Sequence, residues 1–227
     1  MPPRNIGLFG GSFNPIHYGH LQVAEHTRER LQLAHVYFIP TGDPPHKPRT
    51  SLAPAHHRLQ MVNLALQGHS HFSIIDLEAC SPEISYTYDT LKILRQKMFP
   101  NEAFFFIVGL DAFLEFPTWK QAEPLLTLSN FVIISRPGTQ FKTLSQLQCL
   151  PEISSSALDQ LDNGHTTRHT IPLTSHTELI LLALPPSPIS ASTIRDRIDQ
   201  GLPLQDWLPA SVESYILNYN VFSNLKR

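Results

Sequence analysis

The chain has 227 residues, enough for one sizeable core, and its hydrophobic fraction of 41% is typical of a globular protein rather than a disordered one. The formal net charge of −2 argues against a general nucleic-acid binder, because such proteins usually carry a strong basic excess. Cys80 and Cys149 lack metal-site spacing and are expected to be free thiols in a reducing compartment. We find no cleavable leader and no apolar run of the roughly 20 residues that a spanning helix needs, and we expect a cytoplasmic protein.

Apolar runs and helical patterns alternate along the chain. Strands are predicted at residues 5–10, 35–40, 71–76, 103–109, 130–135 and 178–184. Helices are predicted at about 18–32, 54–67, 88–98 and 208–217, with weaker ones near 143–149 and 154–162. Nearly continuous apolar strands that alternate with helices indicate an α/β protein with a parallel sheet covered on both faces. We expect one domain over residues 1–227, in which 138–177 is a variable, insertion-like segment.

The conspicuous polar residues mostly follow directly after predicted strands. Ligands of parallel sheets bind at the carboxyl ends of the strands, near a reversal of strand order. The segments concerned are Gly10–His20, Thr41–Lys47, Asp76–Asp89, Asp111, Arg136 and Ser190–Arg195. Their clustering at one edge of the sheet indicates a ligand site more strongly than any single motif.

The stretch GGSFNPIHYGH, residues 10–20, stands where the first strand gives way to a helix. Gly10 and Gly11 are expected to allow a tight turn and the close approach of a ligand to backbone N–H groups. His17 and His20 lie about one helical turn apart, beside a helix N-terminus that suits a phosphate group. Two alternatives are a glycine turn with two unrelated surface histidines, and a zinc site, which would need a third ligand.

Extended by Leu21, this stretch resembles the H-x-G-H signature of the nucleotidyltransferase superfamily and, within it, the nicotinate-nucleotide adenylyltransferase family. Further segments match that family: PPHK (44–47), HRLQM (57–61), SYTYDTL (85–91), IVGLDAFLEFPTWKQAEPLL (107–126), SRPG (135–138), ISASTIRDRI (189–198) and LPASVESYI (208–216). The resemblance covers nearly the whole chain except roughly 138–177. It implies a single nucleotidyltransferase domain with a Rossmann-like, doubly wound parallel sheet.

The resemblance also implies a reaction, in which ATP and nicotinate mononucleotide give deamido-NAD and pyrophosphate by in-line attack on the α-phosphate of ATP. Mg²⁺ would enter with ATP, and no metal-binding residues of the protein are implied. The implied catalytic residues are His17, His20, Lys47 and Arg195. The implied ATP-binding residues are Gly10, Gly11, Ser12, Phe13, His17, His20, Arg136, Ser190, Ser192 and Arg195. The implied mononucleotide-binding residues are Asn14, Lys47, Tyr86, Thr87, Asp111, Trp119 and Lys120.

Each of these residues also has an ordinary structural interpretation. Ser190, Ser192 and Asp111 could cap helices, Lys47 could be a solvated loop lysine, and Arg136 could form a surface salt bridge. Tyr86 and Trp119 could be core aromatics.

Three departures from the family pattern stand out. Asn14 replaces a usual Asp, Ala191 replaces a usual Ser, and ACSPEISYT (79–87) lacks the Arg and Gly that often precede SYT.

Rival functions remain at this stage. One is a sister nucleotidyltransferase that acts on nicotinamide mononucleotide or phosphopantetheine, and another is a nucleotide-binding regulator without turnover. A metal-dependent hydrolase built on the histidines is a third. We expect small-molecule substrates, no nucleic acid and no membrane partner, and we leave a homo-oligomer open.

Overall fold

The computed structural model describes residues 3–42, 52–135 and 138–223. Within these ranges the chain forms seven strands: β1 (Asn5–Gly11), β2 (His35–Pro40), β3 (Phe72–Ile74), β4 (Ala103–Gly109), β5 (Asn130–Ile134), β6 (Arg168–Pro172) and β7 (Glu178–Leu182). They form one sheet in the order β3-β2-β1-β4-β5-β7-β6. The strand order reverses between β1 and β4, the kind of position at which open α/β sheets bind their ligands.

The helices mostly separate consecutive strands, as a Rossmann-like fold requires. Over the described residues they are α1 (Tyr18–Leu31), α2 (Ala55–Ala65), α3 (Thr87–Lys97), α4 (Leu110–Phe113), α5 (Ala122–Leu125), α6 (Ser155–Asp162), α7 (Ala191–Asp199) and α8 (Ala210–Tyr219). Short 3₁₀ helices cover Phe116–Thr118 and Phe141–Gln146. The predicted α/β fold class is therefore confirmed.

The sheet is mostly parallel, and β6 at its edge is antiparallel to its neighbour. β1 pairs with β4, β4 with β5 and β5 with β7 in parallel, but β6 pairs with β7 in antiparallel register. The sequence of β6, RHTIP, gave no strand signal, because Ile171 is its one buried residue and the strand lies at the edge of the sheet. An edge strand has one partner, so it tolerates polar residues and a terminal proline such as Pro172.

The central strands consist largely of apolar residues, which suits their position beneath packed side chains. β4, β5 and β7 read AFFFIVG, NFVII and ELILL, and most of these residues are buried. Phe113 and Phe116 stack with ring centroids 4.9 Å apart, and both rings pack against Phe131 of β5. Each fully buried side chain of this kind stabilises the fold by roughly 1.5–3 kcal/mol.

The segment 138–177 packs as part of this core. Phe141, Leu144, Leu158 and Leu161 are buried, and Asp162 accepts hydrogen bonds from the backbone N–H groups of residues 141 and 142 at 2.7 and 3.0 Å. The weak helix predicted at 154–162 is confirmed as α6. The one predicted near 143–149 is wrong in type and place, since a 3₁₀ helix covers Phe141–Gln146.

The chain divides into two compact units. The first comprises Met1–Phe9, His26–Ala34 and Tyr86–Ser187, and the second comprises Gly10–Glu25, His35–Ser85 and Pro188–Arg227. The expectation of a single domain stays a prediction. No helix in the described part of the chain is both long and apolar enough to cross a membrane.

Candidate active site

The turn after β1 differs from its prediction. Gly10 and Gly11 lie inside β1, and the left-handed backbone conformation falls on Phe13, whose φ is 44°. That conformation costs a non-glycine residue on the order of 1–3 kcal/mol and persists only where its surroundings hold it. A Cβ at residue 11 would lie 3.1 Å from the buried Phe13 ring. Gly11 therefore makes room for Phe13 rather than supplying the turn itself.

His17 and His20 form a stacked pair at the start of α1. Their ring centroids are 3.7 Å apart with an interplanar angle of 29°, so both rings do face one place, as predicted. The His17 side chain is 6% exposed, and its Nδ1 accepts a hydrogen bond of 3.3 Å from the His20 backbone N–H. The same N–H also donates to the His17 carbonyl oxygen at 2.9 Å, so it is shared between the ring and the backbone of His17.

Gly19, between the two histidines, is a residue whose role the sequence reasoning missed. A Cβ at this position would lie 3.0 Å from His17 Nδ1 and 3.3 Å from the Ile189 carbonyl oxygen. The backbone before α7 therefore lies close to the start of α1. The glycine in the H-x-G-H spacing lets the His17 ring and this backbone approach the helix together.

Asn14 is buried, with 3% exposure, and links two other segments to the turn. Its Oδ1 accepts a hydrogen bond of 2.9 Å from the Ala53 backbone N–H, and its carbonyl oxygen accepts one of 2.7 Å from Arg195 Nη1. Because the contact with Ala53 needs only an acceptor, an amide can make it as a carboxylate would. The departure from the usual Asp is accommodated at this contact.

A group of hydroxyl side chains marks the start of α7. Ser190 caps the helix, since its Oγ accepts from the Thr193 N–H at 3.1 Å, which confirms the capping interpretation for this residue. The same Oγ lies 3.0 Å from Ser192 Oγ and 2.8 Å from Thr193 Oγ1. Thr193 belongs to this group and was not predicted. Arg195 follows one turn into the helix.

The second unit thus contains the predicted ATP-binding residues that the structure describes. These are Gly10, Gly11, Ser12, Phe13, His17, His20, Ser190, Ser192 and Arg195. They combine imidazole N–H groups, hydroxyl groups, a guanidinium group and the N-terminus of a nine-residue helix. All of these favour a bound anion, and a phosphate chain is the anion that would use them together.

A second cluster lies in the first unit around the start of α3. Lys120 Nζ donates to Asp89 Oδ2 at 2.7 Å and lies 4.8 Å from the centroid of the Tyr86 ring. The hydrogen bond to Asp89 raises the pKa of Lys120, so this cation persists over a still wider pH range. Thr87 is the first residue of α3, where backbone N–H groups lack intrahelical acceptors.

Trp119 is half-buried at the end of the 3₁₀ helix Phe116–Thr118. Its ring meets that of Phe106 at 87° with centroids 6.3 Å apart, and that of Phe116 at 5.5 Å. Asp111 lies within the first turn of α4 and is exposed, while Gly109 occupies the N-cap position. The capping interpretation of Asp111 is therefore wrong.

Two predicted residues, Lys47 and Arg136, lie outside the described residues. Among the residues that are described, no group of three or more His, Cys, Asp and Glu side chains is arranged to hold a metal ion. The sequence reasoning missed Gly19, Thr193 and Arg58. All three fall inside the quoted family motifs, and that was the available signal.

The fold and the H-x-G-H histidines at the start of α1 are those of a nucleotidyltransferase. The cytidylyltransferase-like family model matches residues 8–197. A probable nicotinate-nucleotide adenylyltransferase of Desulfitobacterium hafniense is 39% identical over 95% of this chain and 94% of its own length. One from Pelobacter propionicus is 36% identical over 96% of this chain and 98% of its own. The chain belongs to the cytidylyltransferase-like family and, within it, to the nicotinate-nucleotide adenylyltransferases.

Solved structures agree on the fold. The nicotinic acid mononucleotide adenylyltransferase of Plasmodium falciparum, complexed with NaAD, superposes with a TM-score of 0.70 at 23% identity, over 97% of this chain and 98% of its own. A nicotinate-nucleotide adenylyltransferase structure from Vibrio parahaemolyticus gives a TM-score of 0.62 at 17% identity, over 96% and 95%. The predicted Rossmann-like architecture is confirmed by both.

Proposed function

We propose that this protein transfers the adenylyl group of ATP to nicotinate mononucleotide, giving deamido-NAD and pyrophosphate. The observation that carries the proposal is the stacked His17–His20 pair at the start of α1, in a chain of this family. Arg195 is tied to the same turn through the Asn14 carbonyl.

The chemistry needs neither a general base nor a covalent nucleophile. A phosphate oxygen of the mononucleotide is already an anion at neutral pH. It attacks the α-phosphorus of ATP, forming one P–O bond as the bond to the bridging oxygen of the β-phosphate breaks. Pyrophosphate leaves with that electron pair, and no proton has to move. The protein must therefore align the two phosphate groups and stabilise the charge on the α-phosphate.

The second unit supplies the groups for this stabilisation. His17 and His20 donate to the α-phosphate oxygens, where charge increases in the transition state. Ser190, Ser192 and the N-terminal end of α7 bind the β- and γ-phosphates together with Arg195, which the resemblance also implies. Lys47 and Arg136 are assigned to the phosphates and the adenosine side by the resemblance alone.

The resemblance assigns the mononucleotide to Asn14, Lys47, Tyr86, Thr87, Asp111, Trp119 and Lys120, of which the last five belong to the first unit. The pyridine ring stacks on Tyr86 and Trp119, and its carboxylate accepts from the backbone N–H groups at Thr87 and Lys120. Asp111 accepts from a ribose hydroxyl. Donors alone around the carboxylate favour nicotinate over nicotinamide, because the carboxamide NH₂ is itself a donor and would be left without an acceptor.

Mg²⁺ is expected as part of the ATP substrate. It would be held largely by phosphate oxygens and water. A cytoplasmic location and a single domain over the whole chain are part of the same proposal.

The decisive test is pyrophosphate release from ATP and Mg²⁺, with nicotinate mononucleotide and nicotinamide mononucleotide in parallel. We expect strong release with the first and little with the second. Comparable rates with both mononucleotides would overturn the proposed recognition of the carboxylate. They would not affect the proposed adenylyl transfer. ATP binding without release would overturn the enzymatic function and favour a regulator.

Trp119→Ala is expected to raise the KM for nicotinate mononucleotide about 10-fold or more, since ring stacking contributes about 1–3 kcal/mol. The KM for ATP should stay within about twofold, which steady-state kinetics can show. Trp207→Ala is the matched control, because Trp207 is also half-buried but packs beneath Arg197, 5.0 Å from its guanidinium carbon, in the other unit. Equal loss for both substrates in Trp119→Ala would mean that Trp119 is structural.

A further inference from the structure

Arg58 on α2 is a buried cation to which the sequence gave no role. It is 1% exposed, although arginine is rarely buried so completely. Its Nε donates to the Ala53 carbonyl at 2.8 Å, its Nη1 to the Ser12 carbonyl at 2.9 Å, and its Nη2 to the Gly42 carbonyl at 2.6 Å. Such a set of contacts uses the planar, forked geometry of the guanidinium group on backbone oxygens.

These three carbonyl groups belong to three different segments of the second unit. Ser12 lies in the turn after β1, Gly42 lies after β2, and Ala53 lies just before α2. Arg58 Nη1 also lies 3.4 Å from Thr41 Oγ1, in the same segment as Gly42. Arg58 therefore joins three backbone segments, two of which are also linked by the Thr41 N–H, which donates to the Gly11 carbonyl at 3.0 Å.

One of the three segments leads directly to the histidine pair. Ser12 precedes Phe13, whose φ of 44° is a conformation that only its surroundings can maintain. The Phe13 ring meets the His20 ring at 76° with centroids 5.1 Å apart. Holding the Ser12 carbonyl thus holds the ring against which His20 packs.

The same turn is also bonded to the segment before α2 through Asn14. Asn14 accepts from the Ala53 N–H, while the Ala53 carbonyl accepts from Arg58. Together with the hydrogen bond from Arg58 to the Ser12 carbonyl, these two contacts close a ring of hydrogen bonds through residues 12–14, 53 and 58. This ring leaves the turn little freedom to relax without breaking a buried hydrogen bond, which is costly.

We propose that Arg58 is a positioning residue for adenylyl transfer, which sets the His17–His20 pair by fixing the Ser12–Asn14 turn to Gly42 and Ala53. At 1% exposure, its side chain is not accessible to a substrate. The proposal rests on the proposed function for its kinetic consequences, but its structural consequence, the placement of the two imidazole rings, can be measured without any reaction.

Arg58→Lys is the informative variant. It keeps the positive charge, but an ammonium group cannot reproduce the planar fork that reaches three carbonyl oxygens in different directions. We expect kcat for pyrophosphate release to fall about 10- to 100-fold, since displacement of catalytic groups by about 1 Å has effects of that order. The KM for nicotinate mononucleotide should change less than kcat, because its proposed ring-binding residues lie in the first unit and only Asn14 of its implied contacts belongs to the turn.

Arg95→Lys is the matched control. Arg95 is a partly buried arginine of the first unit that also donates to backbone carbonyls, of Phe99 at 3.4 Å and of Glu102 at 2.6 Å, and lies over the Phe104 ring. Arg95→Lys likewise replaces a guanidinium group that donates to backbone carbonyls, but Arg95 contacts no proposed site residue in these hydrogen bonds. We expect it to lower the melting temperature and leave kcat unchanged.

The second readout is the long-range ¹H–¹⁵N spectrum of the histidine rings in both variants. We expect the His17 and His20 ring resonances to shift in Arg58→Lys and not in Arg95→Lys.

If the wild type releases no pyrophosphate, the proposed function fails, and these shifts still decide the role of Arg58. Folded Arg58→Lys with wild-type kcat and unshifted rings would overturn the proposal. If Arg58→Lys and Arg58→Met both fail to fold, Arg58 serves general stability, and the positioning role is overturned as well.

Discussion

His20→Ala is expected to lower turnover by on the order of 10²-fold or more while ATP still binds with nearly its normal affinity. The reason is that a donor at the α-phosphate contributes most where charge develops, in the transition state. In the ground state, we expect the hydroxyl groups at the start of α7 and Arg195, the proposed ligands of the β- and γ-phosphates, to keep binding the rest of the phosphate chain. Pyrophosphate release gives kcat, and calorimetric titration with a non-hydrolysable ATP analogue gives the affinity.

His26→Ala is the matched control for this variant, because it removes another imidazole from α1 at a position outside the histidine pair. His26→Ala should leave kcat and the affinity for the ATP analogue unchanged. Turnover near the wild-type rate in His20→Ala would overturn the proposed catalytic role. An equal loss of turnover and of affinity would make His20 a ground-state binding residue instead.

Gly19→Ala is expected to lower turnover about 10- to 100-fold with little change in the free energy of unfolding. Alanine favours a helix over glycine by about 1 kcal/mol, which would stabilise α1. The added Cβ would lie 3.0 Å from His17 Nδ1 and 3.3 Å from the Ile189 carbonyl oxygen, and such crowding costs an amount of similar size. The two effects nearly cancel in stability, but the displacement of the His17 ring remains and acts on catalysis.

The measurement pairs kcat with chemical denaturation of the same preparation. Gln22→Ala, at an exposed position of α1, introduces alanine without reaching His17, so its kcat should equal that of the wild type. A Gly19→Ala protein with full activity would show that the His17 ring tolerates displacement, and that the hydrogen bond from the His20 N–H is dispensable.

Most of the fold could be predicted because its central strands are apolar on both faces. The runs at β4, β5 and β7 stand out from their polar surroundings, and their predicted positions agree with the structure to within two residues. β6 could not be predicted, because its pairing at the sheet edge depends on where β7 lies. β3 is only three residues long, where a longer strand was predicted at 71–76.

The same distinction applies to the site: contacts between near neighbours in the sequence could be predicted, and contacts between distant segments could not. The spacing of His17 and His20 predicts that the two rings share a direction, since helical geometry alone brings such residues together. The capping of α7 by Ser190 is equally local, because the bond runs to an N–H three residues along the chain. The contacts of Arg58, Asn14 and Lys120 are not local, because each joins segments that are distant along the chain.

The sequence by itself determined the class of fold, the pair of histidines and the capped helix start, because each depends on neighbours within a few residues. Only the tertiary structure decided how the turn between β1 and α1 is held. Phe13 adopts a left-handed conformation that its own type disfavours, while the adjacent glycines remain in the strand. Hydrogen bonds from Arg58 to the Ser12 carbonyl and from the Ala53 N–H to Asn14 maintain it, and these form only when distant segments pack together.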